Sequence, residues 1–206
     1  EGNQNNFELY SLLDLNKNIL NLSNIQYFKK NNIPSKLEIL LNKSKKGFNL
    51  NKISFNENEN YISAKNLNIS PDLKIQSVEE IDVNFVNKNE ILNKFKIKKK
   101  SNNYNFIGYQ IDGEQLVERF LKGNKTDKIF KLFHNINTSL IFKINKIYLE
   151  KDTYLEKFIG EFDIKDSRLF LAKADAILDN KKKFSYSYRT TIKNEKITNI
   201  FIDGPK

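Results

Sequence analysis

Positions 105–133 read NFIGYQIDGEQLVERFLKGNKTDKIFKLF. Residues 106–111 are typical of a β-strand, and Asp112-Gly113 is a break after that strand. From Glu114 to Phe133 the pattern changes to an amphipathic run. Almost everything before and after this stretch reads as short alternating strands, so we interpret it as the main helical interruption of a β chain.

The amphipathic run predicts helix. Leu116 and Phe120 lie four residues apart and share one helix face, and Gly123 follows where a helix end is favourable. Thr126 or Asp127 would cap a second helix. We therefore predict that region 113–135 forms either a helical hairpin or one broken helix, which plugs one end of a curved sheet or covers one of its faces.

The rest of the chain alternates apolar and polar residues with a period of two, as half-buried strands do. The longest predicted strands follow the helical region, at 139–149, 155–164, 169–178, 184–192 and 197–202. We predict a mainly β fold: an antiparallel meander forming a curved or groove-like sheet, with one short helical hairpin inserted near the middle.

Two regions make up this predicted fold. Residues 1–104 form an N-terminal β segment, and residues 105–206 hold a strand, the helical insertion at 113–135 and the long antiparallel strands. Methionine is absent and the chain starts at Glu1. We therefore interpret the chain as one continuous unit excised from a longer protein.

Composition argues against several classes of protein. Cysteine is absent, so a disulfide framework and a thiolate metal site are excluded. The net charge of +10 suits a nucleic-acid or acidic-membrane partner, but arginine occurs only at Arg119, Arg168 and Arg189 and the lysines are spread along the chain. Because a nucleic-acid interface needs clustered basic residues, we interpret the charge as a solvated Lys/Asn surface and expect no nucleic-acid partner.

Catalytic chemistry has little support in the sequence. His134 is the only histidine, and no nucleophile elbow, phosphate loop, dinucleotide fingerprint or calcium loop accompanies it. Glu79 and Glu80 are adjacent, so on a strand their side chains would point to opposite faces. We expect no enzyme activity, no cofactor and no metal.

The long strands carry a generous aromatic set that could line an apolar face. Two interpretations remain open, an ordinary sandwich core and a ligand groove. The candidate lining residues are Phe142, Phe158, Phe162, Phe170, Tyr186, Tyr188 and Phe201.

From about Asn105 onward the chain resembles the C-terminal part of AsmA-like proteins, the family that includes the YhdP and TamB branches. The resemblance rests on a strand ending in Ile-Asp-Gly at 111–113, the short helix at 114–121, the paired strands at 158–164 and 169–176, and a second Ile-Asp-Gly at 202–204. The two Ile-Asp-Gly phrases would mark a repeat unit.

The resemblance implies a bridge-like lipid-transfer protein. Such a protein would be anchored in the bacterial inner membrane through a segment outside this chain. Its β groove would lie in the periplasm and carry phospholipid acyl chains toward the outer membrane, with neighbouring segments of the same protein as partners. The resemblance therefore implies that the candidate lining residues named above are lipid-binding. The alternative is a structural or adhesive cell-surface β domain with a closed core and no ligand.

Overall fold

The computed structural model describes residues 6–115, 137–165, 168–190 and 196–203. Fifteen strands and one short 3-10 helix, Ser23–Ile25, make up its regular structure. The strands are β1 (Phe7–Asp14), β2 (Leu20–Leu22), β3 (Tyr27–Lys29), β4 (Ser35–Ser44), β5 (Gly47–Glu57), β6 (Asn60–Ile69), β7 (Ile75–Ser77), β8 (Glu80–Val86), β9 (Leu92–Lys100), β10 (Asn103–Asp112), β11 (Thr138–Tyr148), β12 (Tyr154–Lys165), β13 (Arg168–Leu178), β14 (Lys183–Thr190) and β15 (Lys196–Asp203). The predicted mainly β class is confirmed.

Thirteen of these strands belong to one open sheet, whose hydrogen-bonded order is β1-β4-β5-β6-β8-β9-β10-β11-β12-β13-β14-β15, with β7 beside β6. Among the described strands, β1 and β15 are the two edges of this sheet. Strands β2 and β3 form a separate two-stranded sheet.

The prediction of a wholly antiparallel meander is wrong at the β10–β11 pair. Strands β10 and β11 are parallel neighbours, with Phe106 beside Phe142 and Gly108 beside Ile144. Parallel neighbours cannot be joined by a hairpin turn and need a longer crossover connection. The long interruption after Asp112 is that connection, whereas the alternation of residues carries no information about strand direction.

The helical insertion predicted at 113–135 lies outside the described residues from position 116 onward. At its start, Glu114 and Gln115 have helical backbone conformation. The Asp112 carboxylate accepts a hydrogen bond from the Glu114 backbone N–H at 3.1 Å, as an N-cap residue does. The Gly113 N–H donates to the Tyr148 carbonyl oxygen at 2.7 Å, which fixes the end of β10 beside the end of β11.

Contacts within the chain divide it into two compact units, which meet in sequence between Lys96 and Ile97, inside β9. The boundary expected at 104/105 falls in the following strand, β10. We refer to the described residues up to Lys96 as the first unit and to those from Ile97 onward as the second unit.

The core of the first unit lies under the segment between β1 and β4, which holds β2 and β3 and which we call the excursion. The Tyr27 ring, from β3, packs edge-on against Phe55 and Phe85 at centroid distances of 5.7 and 5.3 Å. Tyr27 is 2% exposed, and Val83 completes the fully buried cluster. The excursion thus covers one end of an apolar sheet face.

A fully buried lysine holds this excursion in place. The Lys29 ammonium donates to the backbone carbonyl oxygens of Asn18, Lys30 and Asn16, at 2.7, 3.0 and 3.4 Å. The side chain is 0% exposed. Three carbonyl acceptors use all three donors of an ammonium group, so the buried charge is fully hydrogen-bonded and closes the loop before β2 onto β3.

Candidate functional site

Four phenylalanine rings form a cluster on the second unit. Phe142 in β11 lies at its centre, with its ring centroid 5.2 Å from Phe106, 4.9 Å from Phe162 and 6.2 Å from Phe158. All four rings are half-buried. Because they come from three adjacent strands, they make a continuous apolar surface, which we call the aromatic face.

Small residues lie in register beside these rings. Gly160 is the β12 partner of Phe142, and Ala172 and Ala174 are the β13 partners of Phe162 and Gly160. All three are buried. A side chain at Gly160 would meet the Phe158 ring at 3.1 Å. The small size of these residues therefore leaves room for the phenylalanine rings. The aromatic face has a row of small residues beside the row of rings.

Aromatic residues occur again on the next strand of the sheet, β14. Phe184, Tyr186 and Tyr188 of β14 pair with Ala176, Ala174 and Ala172 of β13. The Phe184 and Tyr186 side chains are half-buried. The register of Tyr188 places it in the same alternating set. The row of alanines thus lies between two aromatic rows.

Two of the predicted lining residues do not fit this regular register. Phe170 falls at an irregularity in the β12–β13 register, and the Lys165 ammonium lies 4.0 Å from its ring centroid. Phe201 of β15 pairs with Ser185, whereas Ile200 and Ile202 pair with Tyr186 and Phe184. The backbone register therefore puts Ile200 and Ile202, and not Phe201, in the set that continues the aromatic face.

Phe106 is the contributor to the aromatic face that sequence reasoning missed. The sequence did contain an indication of this role, since Phe106 and Gly108 occupy alternate positions of the strand predicted at 106–111. The structure brings together the predicted Phe142, Phe158 and Phe162 and aligns Tyr186 and Tyr188 with them by register. Their role as lipid contacts stays a prediction.

A cation lies at one end of the aromatic face. The Lys146 ammonium is 3.6 Å from the Tyr154 ring centroid and 4.8 Å from that of Tyr148. Its hydrogen bond with Tyr148 raises the pKa of Lys146, and the nearby Glu156 carboxylate adds to this effect. The group therefore stays charged at physiological pH, with aromatic side chains beneath it.

The first unit has an apolar sheet face of its own. Its residues alternate along neighbouring strands and share one side by register. They are Phe7, Leu9 and Leu13 of β1, Leu37, Ile39 and Leu41 of β4, Phe48, Leu50, Ile53 and Phe55 of β5, Ile62, Ala64, Leu67 and Ile69 of β6, and Ile81, Val83 and Phe85 of β8. Away from Tyr27, most of these side chains are half-buried or exposed. This face is thus covered at one end and open further along.

The opposite side of the first unit is polar. Cross-strand ion pairs join Lys52 to Glu38 at 2.6 Å and Lys65 to Glu80 at 3.0 Å. Such exposed pairs contribute little stability, but they keep this side solvated. The first unit therefore has one polar, solvent-exposed face and one apolar face, as the period-two alternation predicts.

The residues considered for catalysis have other surroundings. Glu80 pairs with Lys65, and Glu79 accepts a hydrogen bond from the Asn66 side chain. His134 lies outside the described residues. Within residues 6–115, 137–165, 168–190 and 196–203, no group of three or more acidic or histidine side chains is arranged to hold a metal ion. No helix among these residues has the length and apolar character needed to cross a bilayer.

Comparison with known protein families, with curated proteins and with solved structures finds no match to this chain. The resemblance to AsmA-like proteins stays a prediction, and function has to be argued from the residues on the sheet faces.

Proposed function

We propose that this chain is a segment of a bridge-like lipid-transfer protein, in which apolar sheet faces hold the acyl chains of a phospholipid. The observation that carries the proposal is the aromatic face, where half-buried rings around Phe142 border a row of buried small residues. The half-buried rings on both sides of this row offer an acyl chain apolar surface to contact. In this proposal the sheet curves into a groove, beside the helical hairpin expected at 113–135.

The energetics of such a face favour lipid. Each methylene removed from water contributes about 0.8 kcal/mol, so an acyl chain gains much from an apolar surface without any catalytic group. In this proposal, Lys146 at the end of the aromatic face pairs with the phosphate of a head group. The setting proposed from the family resemblance is the periplasm, with an inner-membrane anchor outside this chain.

The test is native mass spectrometry with lipid extraction on the purified chain. We expect co-purifying phospholipid in the wild type and its loss in the Phe162→Asp variant. Ile159→Asp is the matched control, since Ile159 lies on the same strand, is 55% exposed and belongs to the alternate set of residues. That variant should keep its lipid. Circular dichroism should show that both variants are folded.

A folded wild-type protein without lipid would reject this proposal. The function would then be the second candidate, a structural or adhesive β domain. The closed cluster around Tyr27 and Phe55 in the first unit is the observation that favours it.

A further inference from the structure

A lysine lies at the open end of the first unit's apolar face. Lys43 of β4 has Phe7 of β1 and Phe48 of β5 as its register partners on either side. Its ammonium is 5.6 Å from the Phe7 ring centroid and 5.7 Å from the Phe48 ring centroid. These distances are within the range of cation–π contacts. Lys43 is half-buried, so its positive charge is held among apolar side chains.

Lys43 differs from the lysines on the polar side of this unit. Lys52 and Lys65 each form an ion pair with a glutamate of a neighbouring strand. Among the residues that the structure describes, no carboxylate lies within ion-pair distance of Lys43. A wholly apolar cover over this end of the face would take the charge out of water without a partner, which is costly. A ligand with an anionic head group supplies that partner.

The apolar strip that leads away from Lys43 is covered at its far end. It runs along β4 through Leu41 and Ile39 to Leu37, which packs against the cluster around Tyr27. At about 3.4 Å per residue, the six steps from Lys43 to Leu37 span roughly 20 Å. The acyl chains of one bilayer leaflet occupy about 15 Å, half of the hydrocarbon core. The strip is therefore long enough for one acyl chain and ends where the excursion covers the sheet.

We propose that the first unit binds a phospholipid of its own, with the phosphate at Lys43 and an acyl chain along β4 and β5 toward the cluster around Tyr27. This inference rests on the proposed function, which supplies the class of ligand, but it concerns residues outside the aromatic face. The second unit has the same combination, since Lys146 lies over two aromatic rings at one end of an apolar face. Each unit would thus hold one lipid, and the lysine would set the direction of its acyl chain.

A methyl-NMR titration of the whole chain tests the first-unit site. The probes are dodecyl phosphate and dodecanol, which share one alkyl chain and differ in the anionic head group. Both probes should shift the methyl signals of Ile39 and Ile53, which are register partners on this face. Dodecyl phosphate should bind about fivefold more tightly than dodecanol, as expected for one partly exposed ion pair. The methyl signal of Ile159, which is 55% exposed on the second unit, should not shift.

Substitution of Lys43 tests the head-group assignment. Lys43→Gln should bind the two probes equally, with the same affinity for dodecanol as the wild type. Lys52→Gln is the matched control, because Lys52 lies on the neighbouring strand and pairs with Glu38 on the polar side. This control should keep the preference for dodecyl phosphate. A preference that survives Lys43→Gln would overturn the assignment of Lys43 to the phosphate.

The same spectra separate this inference from the proposed function. Ile144 pairs with Phe158 on the aromatic face, so its methyl signal reports on the second unit. Shifts at Ile144 without shifts at Ile39 and Ile53 would overturn the first-unit site and leave the proposed function standing. Shifts at Ile39 and Ile53 alone would support the first-unit site and count against the aromatic face. The absence of shifts at all three residues would overturn both.

Discussion

Removing the Phe142 ring should unfold the second unit more readily than any surface truncation. Phe142 contacts three other rings at 4.9 to 6.2 Å. Aromatic pairs contribute about 0.5–1.5 kcal/mol each, and loss of a half-buried ring from an apolar environment adds about 1 kcal/mol. Phe142→Ala should therefore cost about 3 kcal/mol, near the lower end of the range for buried phenylalanine.

Urea unfolding followed by circular dichroism measures this cost. With a slope of about 2 kcal/mol per molar, the midpoint should fall by roughly 1.5 M. Because the two units can unfold in separate transitions, hydrogen exchange of peptides from β11 and β12 should locate the loss. Tyr109→Ala, on the neighbouring strand, provides the control, with an expected cost below about 1 kcal/mol. Equal costs for the two variants would refute the view that Phe142 is the centre of a packed cluster.

Three further substitutions test other parts of the fold. Gly47 has a φ of +122°, and a Cβ there would collide with the Ile69 carbonyl oxygen, so Gly47→Ala should lower the thermal midpoint sharply and cost at least about 2 kcal/mol. Lys29→Met leaves three buried carbonyl oxygens without their donor and should cost about 2–4 kcal/mol in urea unfolding; a cost no larger than that of the exposed Lys30→Met would contradict the assigned role. Burial raises the pKa of Glu57 above its ordinary value of 4.5; for a carboxyl group this stabilises the protonated folded state, so stability contributed by Glu57 is present below pH 4.5 and is lost as pH rises through the folded-state pKa. Glu57→Gln should then be more stable than wild type at pH 7 with a flatter pH dependence in thermal melts, and an unchanged pH profile would count against this reasoning.

Much of the fold could be predicted from alternation alone. The period-two pattern arises when a sheet has one solvent-exposed face and one apolar face. The first unit has both, with Lys52 and Glu38 on one side and Ile39 and Ile53 on the other. The strands therefore fall close to their predicted positions. The pattern says nothing about which edge a strand joins, so the parallel pairing of β10 with β11 could not be predicted from it.

The candidate site was predicted less completely. Which residues of neighbouring strands share one side of the sheet depends on how the strands pair, and the sequence of one strand does not give that pairing. Phe170 lies at a break in the β12–β13 register, which alternation along one strand does not reveal. Phe201 belongs to the alternate set because of how β14 and β15 align. Tyr27 lies on the short strand β3, and its role as the cover of a core depends on contacts with Phe55 of β5 and Phe85 of β8, which lie far away in sequence.

The parallel pairing of β10 with β11 also bears on the order of folding. Strands β11 to β15 are joined in sequence as successive antiparallel neighbours, so each pair closes a short loop and forms early. The β10–β11 pair forms only after a far longer loop has closed. We therefore expect the five C-terminal strands to assemble first and β10 to join them in a later, slower step. When the full-length chain refolds, the ladder between β10 and β11 would be the last of these strand pairs to form.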